Sequence, residues 1–291
     1  MGYQENWWSI LGSAFMRHAL LGGTIIALAA GLIGYFIVVR RNAFAAHALA
    51  HIGLPGATGA VLVGLPPVLG LGVFCVGGAL AIGALGARAA DRDVVTGTTL
   101  AFATGLGLFF NSLATKSSST MTNVLFGNLL SITSEQLVVF TVLLGALALI
   151  IGVAYRPLLY SSVNADVAEA KGVPVRALSM MFMVLLAIAV TMSVQVVGTL
   201  LLFALVVTPA ATAIMLTPRP ALAMVISAAI SVFSVGIGLA VSAMFSVPPS
   251  FLIVTVACGI WFAVWSAQAW DTRRTRKVAP RAEAGMAQVQ P

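Results

Sequence analysis

His47 and His51 stand four positions apart in an otherwise apolar run, AFAAHALAHIGLPGATGAVLVG, which begins at Ala43. That spacing puts both side chains on one face of a helix, one turn apart. Neutral imidazole is the commonest protein ligand for zinc and other transition metals. An ionisable group inside a membrane segment is expensive, so its default reading is functional. The pair is therefore a candidate path for a divalent metal. As the alternative, two histidines can simply hydrogen-bond neighbouring carbonyls in a helix interior, and the spacing alone leaves both readings open. A metalloprotease fails on detail, because position 48 is Ala where the His-Glu-x-x-His motif needs its general-base Glu. No Asp or Glu falls in a clear apolar span, so hydrolysis would lack a base.

Other candidates are weaker. Pro209 has no N–H and its ring clashes with the carbonyl of Leu205, so the helix should bend or break there. Such a break frees backbone carbonyls and lets Thr208 and Thr212 join a pathway, although packing alone also produces breaks of this kind. Asn111 and Gln195 are isolated polar residues near span ends. Cys75 and Cys258 lie in separate apolar runs and form neither a disulfide framework nor a thiolate motif. The methionines share no face, which suits packing better than a soft-metal relay. The chain contains no Gly-x-x-x-x-Gly-Lys-Ser/Thr loop, so active transport needs energy from another chain or from an ion gradient.

The elements that must position these residues follow from composition. Sixty per cent of residues are hydrophobic, 8% are charged and the mean hydropathy is +1.06. Apolar runs of about twenty residues recur without the alternation of a barrel. Backbone groups in lipid must be satisfied within the segment, so the expected fold is all-α: a polytopic helical bundle of about eight or nine spans, some kinked or discontinuous. Residues 1–18 read as an interfacial segment carrying Trp7, Trp8, Arg17 and His18, residues 19–269 as the membrane domain, and residues 270–291 as a disordered basic tail. The first run, Ala19 to Val39, reads as a retained span. Arg88, Asp91, Arg92 and Asp93 read as a charged turn, and the fifth run ends at Arg156-Pro157. Val124 to Leu130 is too short to cross, and the join at Val197-Gly198 is a possible hairpin at membrane depth.

Nine crossings with the N-terminus outside put 13 of the 15 lysines and arginines in the cytoplasm, leaving Arg17 and Lys116 outside. This is a strong positive-inside bias. The net charge of +7 is accordingly a topology signal of a cytoplasmic-membrane protein, not a mark of nucleic-acid binding. The same topology places the polar stretch 158–178 in the cytoplasm. There Asp166, Glu169, Lys171 and Arg176 cluster, Asn164 or Asp166 can cap a helix of about two turns, and Gly172 and Pro174 end it. A short exposed helix suits a partner's grip; a plain solvated loop is the alternative.

Four segments together resemble the permease subunits of bacterial ABC importers for zinc, manganese and iron: VVRRNAFAAHALAHIGLPGATGA from Val38, LFGNLLSIT from Leu125, NADVAEAKGV from Asn164 and GTLLLFALVVTPAATA from Gly198. The likeness covers roughly residues 15–268. It implies a type II importer architecture in which two permease copies, expected to be identical, form the pathway. Cytoplasmic ATPase subunits grip a coupling helix, and an extracytoplasmic solute-binding protein delivers the metal. It further implies that Asp166, Glu169, Ala170, Lys171 and Gly172 belong to the coupling element. His47 and His51 fall where the family usually has Asp-x-x-x-His on the metal path. Imidazole in place of a carboxylate favours zinc on ligand softness, so Zn2+ is the expected cargo, with Mn2+ or Fe2+ as alternatives and no permanently bound cofactor. Pro248-Pro-Ser-Phe251 departs from the family's Pro-Ser-Gly. A permease for a chelate such as a siderophore or cobalamin, and a non-transporting scaffold, are the competing readings.

Overall fold

The computed structural model describes residues 12–85, 89–113, 117–199, 201–245 and 247–278. Among them the secondary structure is helical throughout: α1 Ala14–Val39, α2 Ala43–Leu62, α3 Pro67–Leu85, α4 Ala89–Leu113, α5 Ser117–Phe126, α6 Ser134–Val163, α7 Ala165–Ala170, α8 Val175–Val197, α9 Leu202–Val206, α10 Thr208–Leu216, α11 Pro220–Phe245 and α12 Pro249–Val278. A 3-10 turn, Leu129–Ser131, follows α5.

Seven of these helices are long and apolar enough to cross a membrane. The histidine-bearing α2 has the length of a span at 20 residues, and the short pair α9 and α10 lies end to end. Together they give nine passes. α1 and α11 run antiparallel, since Gly23 lies against Val235 and Gly31 against Ala228. The alternation gathers Arg40, Arg41, Arg156, Lys171, Arg176 and Arg219 at one end, which the positive-inside rule makes cytoplasmic. This is a multi-pass protein of the cytoplasmic membrane.

α1 and α8 form the centre, each with 67% of its apolar window buried. α4, α6 and α12 are peripheral and turn residues such as Phe102, Val142, Leu149 and Phe262 outward, as lipid contact requires. Small residues let the helices approach closely. Where α2 crosses α3, a Cβ on Gly56 would sit 2.1 Å from the carbonyl oxygen of Gly70, so a side chain there would separate the two helices.

Several helices run beyond the bounds that hydropathy suggests. α4 starts at Ala89, so Asp91, Arg92 and Asp93 belong to a helix and not to a turn, while Arg88 lies outside the described residues. α6 passes through Pro157 to Val163. α12 continues from the last apolar residues through Arg273, Arg274 and Arg276 to Val278, where a disordered tail is expected; residues 279–291 lie outside the described residues. α1 already begins at Ala14, so Arg17 and His18 are helical, and Trp7 and Trp8 lie outside the described residues. One reason covers all four cases. Charge marks where a helix leaves hydrocarbon, and a helix can continue past that level because its backbone bonds are made within the segment.

Candidate functional site

α2 carries His47 and His51 with ring centroids 4.9 Å apart and planes at 69°. Both residues are half-buried. The Nδ1 of His47 is shielded from solvent and has no hydrogen-bond partner. The alternative in which the pair is absorbed by neighbouring carbonyls therefore leaves this atom unexplained, since a buried polar atom without a partner is uncommon. Pro55, inside α2, has no N–H to give to the carbonyl of His51 one turn earlier, which adds a backbone oxygen without its usual helical donor. Thr58 turns its hydroxyl back to the carbonyl of Leu54 at 3.0 Å. Among the described residues no group of three or more His, Cys, Asp or Glu comes together. One chain thus supplies two imidazoles, too few to complete the shell of a transition metal.

The predicted break in the seventh pass is present. α9 ends at Val206 and α10 starts at Thr208, with Pro209 in its first turn. The Leu205 carbonyl, deprived of a donor by Pro209, lies 3.5 Å from the Ser231 hydroxyl of α11, which bonds more closely to Ser227 O at 3.0 Å. Thr212 is buried and donates to the carbonyl of Thr208 at 2.8 Å, so that hydroxyl is engaged within its own helix.

At the cytoplasmic end, Asn164 is the N-cap of α7. The amide of Val167 donates to its side-chain oxygen at 3.1 Å. Gly172 takes φ +81, and the Val173 amide reaches back to Ala168 O at 3.0 Å to close the helix. Asp166, Glu169, Ala170, Lys171 and Gly172 are all exposed, while Ala168 alone of α7 is buried. Lys171 lies 5.5 Å above the Tyr160 ring. α7 therefore presents two carboxylates and one ammonium to the cytoplasm from a short, doubly capped element.

Sequence reasoning passed over what joins the two regions. Arg40, at the C-cap of α1, donates from Nε to Ser162 Oγ at 2.8 Å and from Nη2 to Ser161 Oγ at 2.6 Å, and its guanidinium lies 5.1 Å over the Phe182 ring of α8. Ser161 and Ser162 end the helix that leads into α7, and Arg40 precedes the helix of the histidines. Arg41, at φ +56, makes the turn between α1 and α2. A cavity of about 470 Å3 opens beside this contact, lined among others by Arg41, Asn42 and Ser179. An Arg between a span and a polar turn reads as a topology charge, and only its tertiary contacts reveal more.

The chain matches the ABC 3 transport family over residues 13–268. The manganese transport system membrane protein MntC of Listeria innocua is 30% identical over 249 residues, covering 85% of this chain and 89% of that protein. MntC of Halalkalibacterium halodurans is 32% identical over 252 residues, 85% of each chain. Among solved structures, PsaBC from Streptococcus pneumoniae in complex with Fab superposes with a TM-score of 0.80 at 28% identity, covering 89% of this chain and 94% of that one.

Proposed function

The chain belongs to the ABC 3 transport family, and on that footing we propose that it is the membrane permease of an ATP-driven importer for a divalent transition metal, with manganese the leading cargo. The observation that carries this reading is the His47–His51 pair: two imidazoles, one with a buried and unpartnered nitrogen, inside a chain similar in sequence to proteins named for manganese transport and in fold to PsaBC. Zinc, which ligand softness alone favours, has no support from the names of these relatives. Manganese stands in front because the relatives whose names state a cargo are named for manganese.

The chain itself holds no nucleotide loop, so ATP is hydrolysed on a cytoplasmic partner that grips α7 through Asp166, Glu169, Ala170, Lys171 and Gly172. A second copy completes the pathway and doubles the imidazoles to four, and an extracytoplasmic binding protein delivers the ion. The Arg40 contact with Ser161 and Ser162 passes movement of α7 to the start of α2. The histidines then exchange part of the ion's water shell for nitrogen and oxygen, weakly enough for release inward.

Uptake of radiolabelled Mn2+, Zn2+ and Fe2+ in cells that lack their own importers tests the cargo. This reading expects Mn2+ to enter at the lowest concentration. Preference for Zn2+ would restore the softness argument, and uptake of none would remove the transport reading.

A further inference from the structure

In a neutral imidazole one ring nitrogen donates and the other accepts, so whatever holds the first decides which nitrogen is left for an ion. A metal-bound histidine almost always donates its other N–H to an oxygen nearby. The Nδ1 of His47 is shielded from solvent and has no partner, so that oxygen has to come from the protein. Thr96 on α4 carries one. It is 1% exposed, and its hydroxyl also has no partner. Other threonines of α4 turn their hydroxyls back to a carbonyl one turn earlier, Thr99 to Val95 O at 2.7 Å and Thr104 to Leu100 O at 2.8 Å. The Thr96 oxygen is left open instead.

The packing of α2 on α4 sets the two groups on facing stripes at one level. A Cβ on Gly107 of α4 would lie 3.1 Å from Leu54 Cγ and 3.2 Å from Pro55 N, and one on Gly59 of α2 would lie 3.1 Å from the Phe110 ring. The two helices therefore run in the same direction, with Gly107 level with Leu54 and Pro55. Thr96 precedes Gly107 by eleven residues, about three turns, so it meets α2 from the same face of α4. Ala103, on that stripe, lines a cavity together with Ile52 and Pro55 of α2. His47 precedes Leu54 by seven residues, about two turns, and so shares the face that meets Gly107. Eleven residues back from Leu54 and Pro55 is the turn at Ala43 and Phe44. A helical side chain lies over the turn before its own Cα, which brings the His47 ring to that level, opposite Thr96.

We propose that Thr96 is a positioning residue of the metal path: its hydroxyl oxygen accepts from His47 Nδ1–H, which reserves the Nε2 lone pair for the ion. The inference deepens the transport reading and rests on it. Neither atom is engaged elsewhere in this structure, so the bond forms without breaking another. The Thr96 proton is then free to turn to its own helix, in the manner of Thr99. A ring held this way cannot swap tautomers or swing off the path, and the ion meets a fixed nitrogen.

The test is Mn2+ uptake by the complete complex in proteoliposomes, with its ATPase and binding protein, over a range of Mn2+ concentrations. Thr96→Val keeps the shape and removes the acceptor, and its KM for Mn2+ should rise about tenfold or more, the usual cost of losing a histidine's outer partner. Its kcat should stay within about twofold, the signature of lost binding. Thr96→Ser keeps the hydroxyl and gives up the methyl group, so its KM should return to within about threefold of that of the unsubstituted complex. A role in packing alone predicts the reverse order, with Val tolerated and Ser not. Thr96→Ala removes the same acceptor and is read in the same way if Thr96→Val does not assemble. Unchanged KM without the acceptor, or an equal rise in Thr96→Ser, overturns the assignment. Absence of any divalent-cation uptake by the unsubstituted complex overturns the transport reading instead.

Discussion

Arg40 Nη2 lies 2.6 Å from Ser161 Oγ, joining residues 121 positions apart. Ser161 in turn donates to Leu158 O at 3.0 Å, so the hydroxyl is oriented by its own helix and offers its oxygen to the guanidinium. Ser162 repeats the arrangement with Arg40 Nε. The fork geometry of a guanidinium is what lets one side chain hold two adjacent hydroxyls, and the ring of Phe182 limits where it can swing.

Arg40→Ala should therefore separate ATP hydrolysis from transport. Hydrogen bonds from a charged donor contribute about 1.5–3 kcal/mol each when buried, and this half-buried pair falls at or below the low end. The expected outcome is a complex that assembles and hydrolyses ATP but moves metal at roughly a tenth of the normal rate or less, measured as ions transported per ATP. Arg40→Lys should recover little, because a single ammonium cannot reproduce the fork. An unchanged ratio in Arg40→Ala would remove this contact from the coupling route.

His47→Ala with His51→Ala should abolish metal-dependent growth without lowering the amount of protein in the membrane. The substitutions sit on a half-buried face and leave no large cavity. His47→Asp supplies a hard oxygen in place of nitrogen, and it should raise the ratio of Mn2+ to Zn2+ uptake. Dual-isotope uptake reads that ratio directly, and a fall would show that position 47 does not touch the ion.

Asp166→Lys with Glu169→Lys should prevent the ATPase subunit from co-purifying with the permease. Both carboxylates are exposed on α7, so their reversal changes a docking surface and leaves the bundle intact. Thermal stability of the isolated permease should stay within about 0.5 kcal/mol of normal, as surface changes usually do. Normal co-purification with normal ATP hydrolysis would assign α7 no part in docking.

Gly198→Ala should reduce membrane abundance severely. Its backbone, at φ +82 and ψ 167, lies in a region that glycine alone occupies with ease, and the added Cβ would collide with Leu125 O. Gly172→Ala is the control, because φ is +81 there but the space is open. It should cost about 1 kcal/mol of local strain and leave abundance near normal. Quantitative immunoblotting of membranes distinguishes the two.

Much of this architecture can be read from residues. Apolar runs place the passes, the basic residues orient them, and a spacing of four puts His47 beside His51. Asn164 caps α7 because a short polar side chain before an alanine-rich turn does so almost anywhere. What escapes is whatever depends on two distant segments meeting. Arg40 looks like any arginine at a membrane boundary until Ser161 and Ser162 are in place. Gly127 and Gly198 look like ordinary turn glycines until each fills the space the other's side chain would need. Span ends escape for another reason, since the helices run on through Asp91 and Arg273 past the bounds that hydropathy draws.

The most direct test of ATP-driven metal transport by this permease is Mn2+ accumulation in proteoliposomes containing the permease, its ATPase and its binding protein, with and without ATP, for the unsubstituted chain and for His47→Ala with His51→Ala. The account predicts accumulation against the gradient only with ATP and only when the histidines are present. Accumulation that persists in the double substitution, or that proceeds with the permease alone, would contradict it.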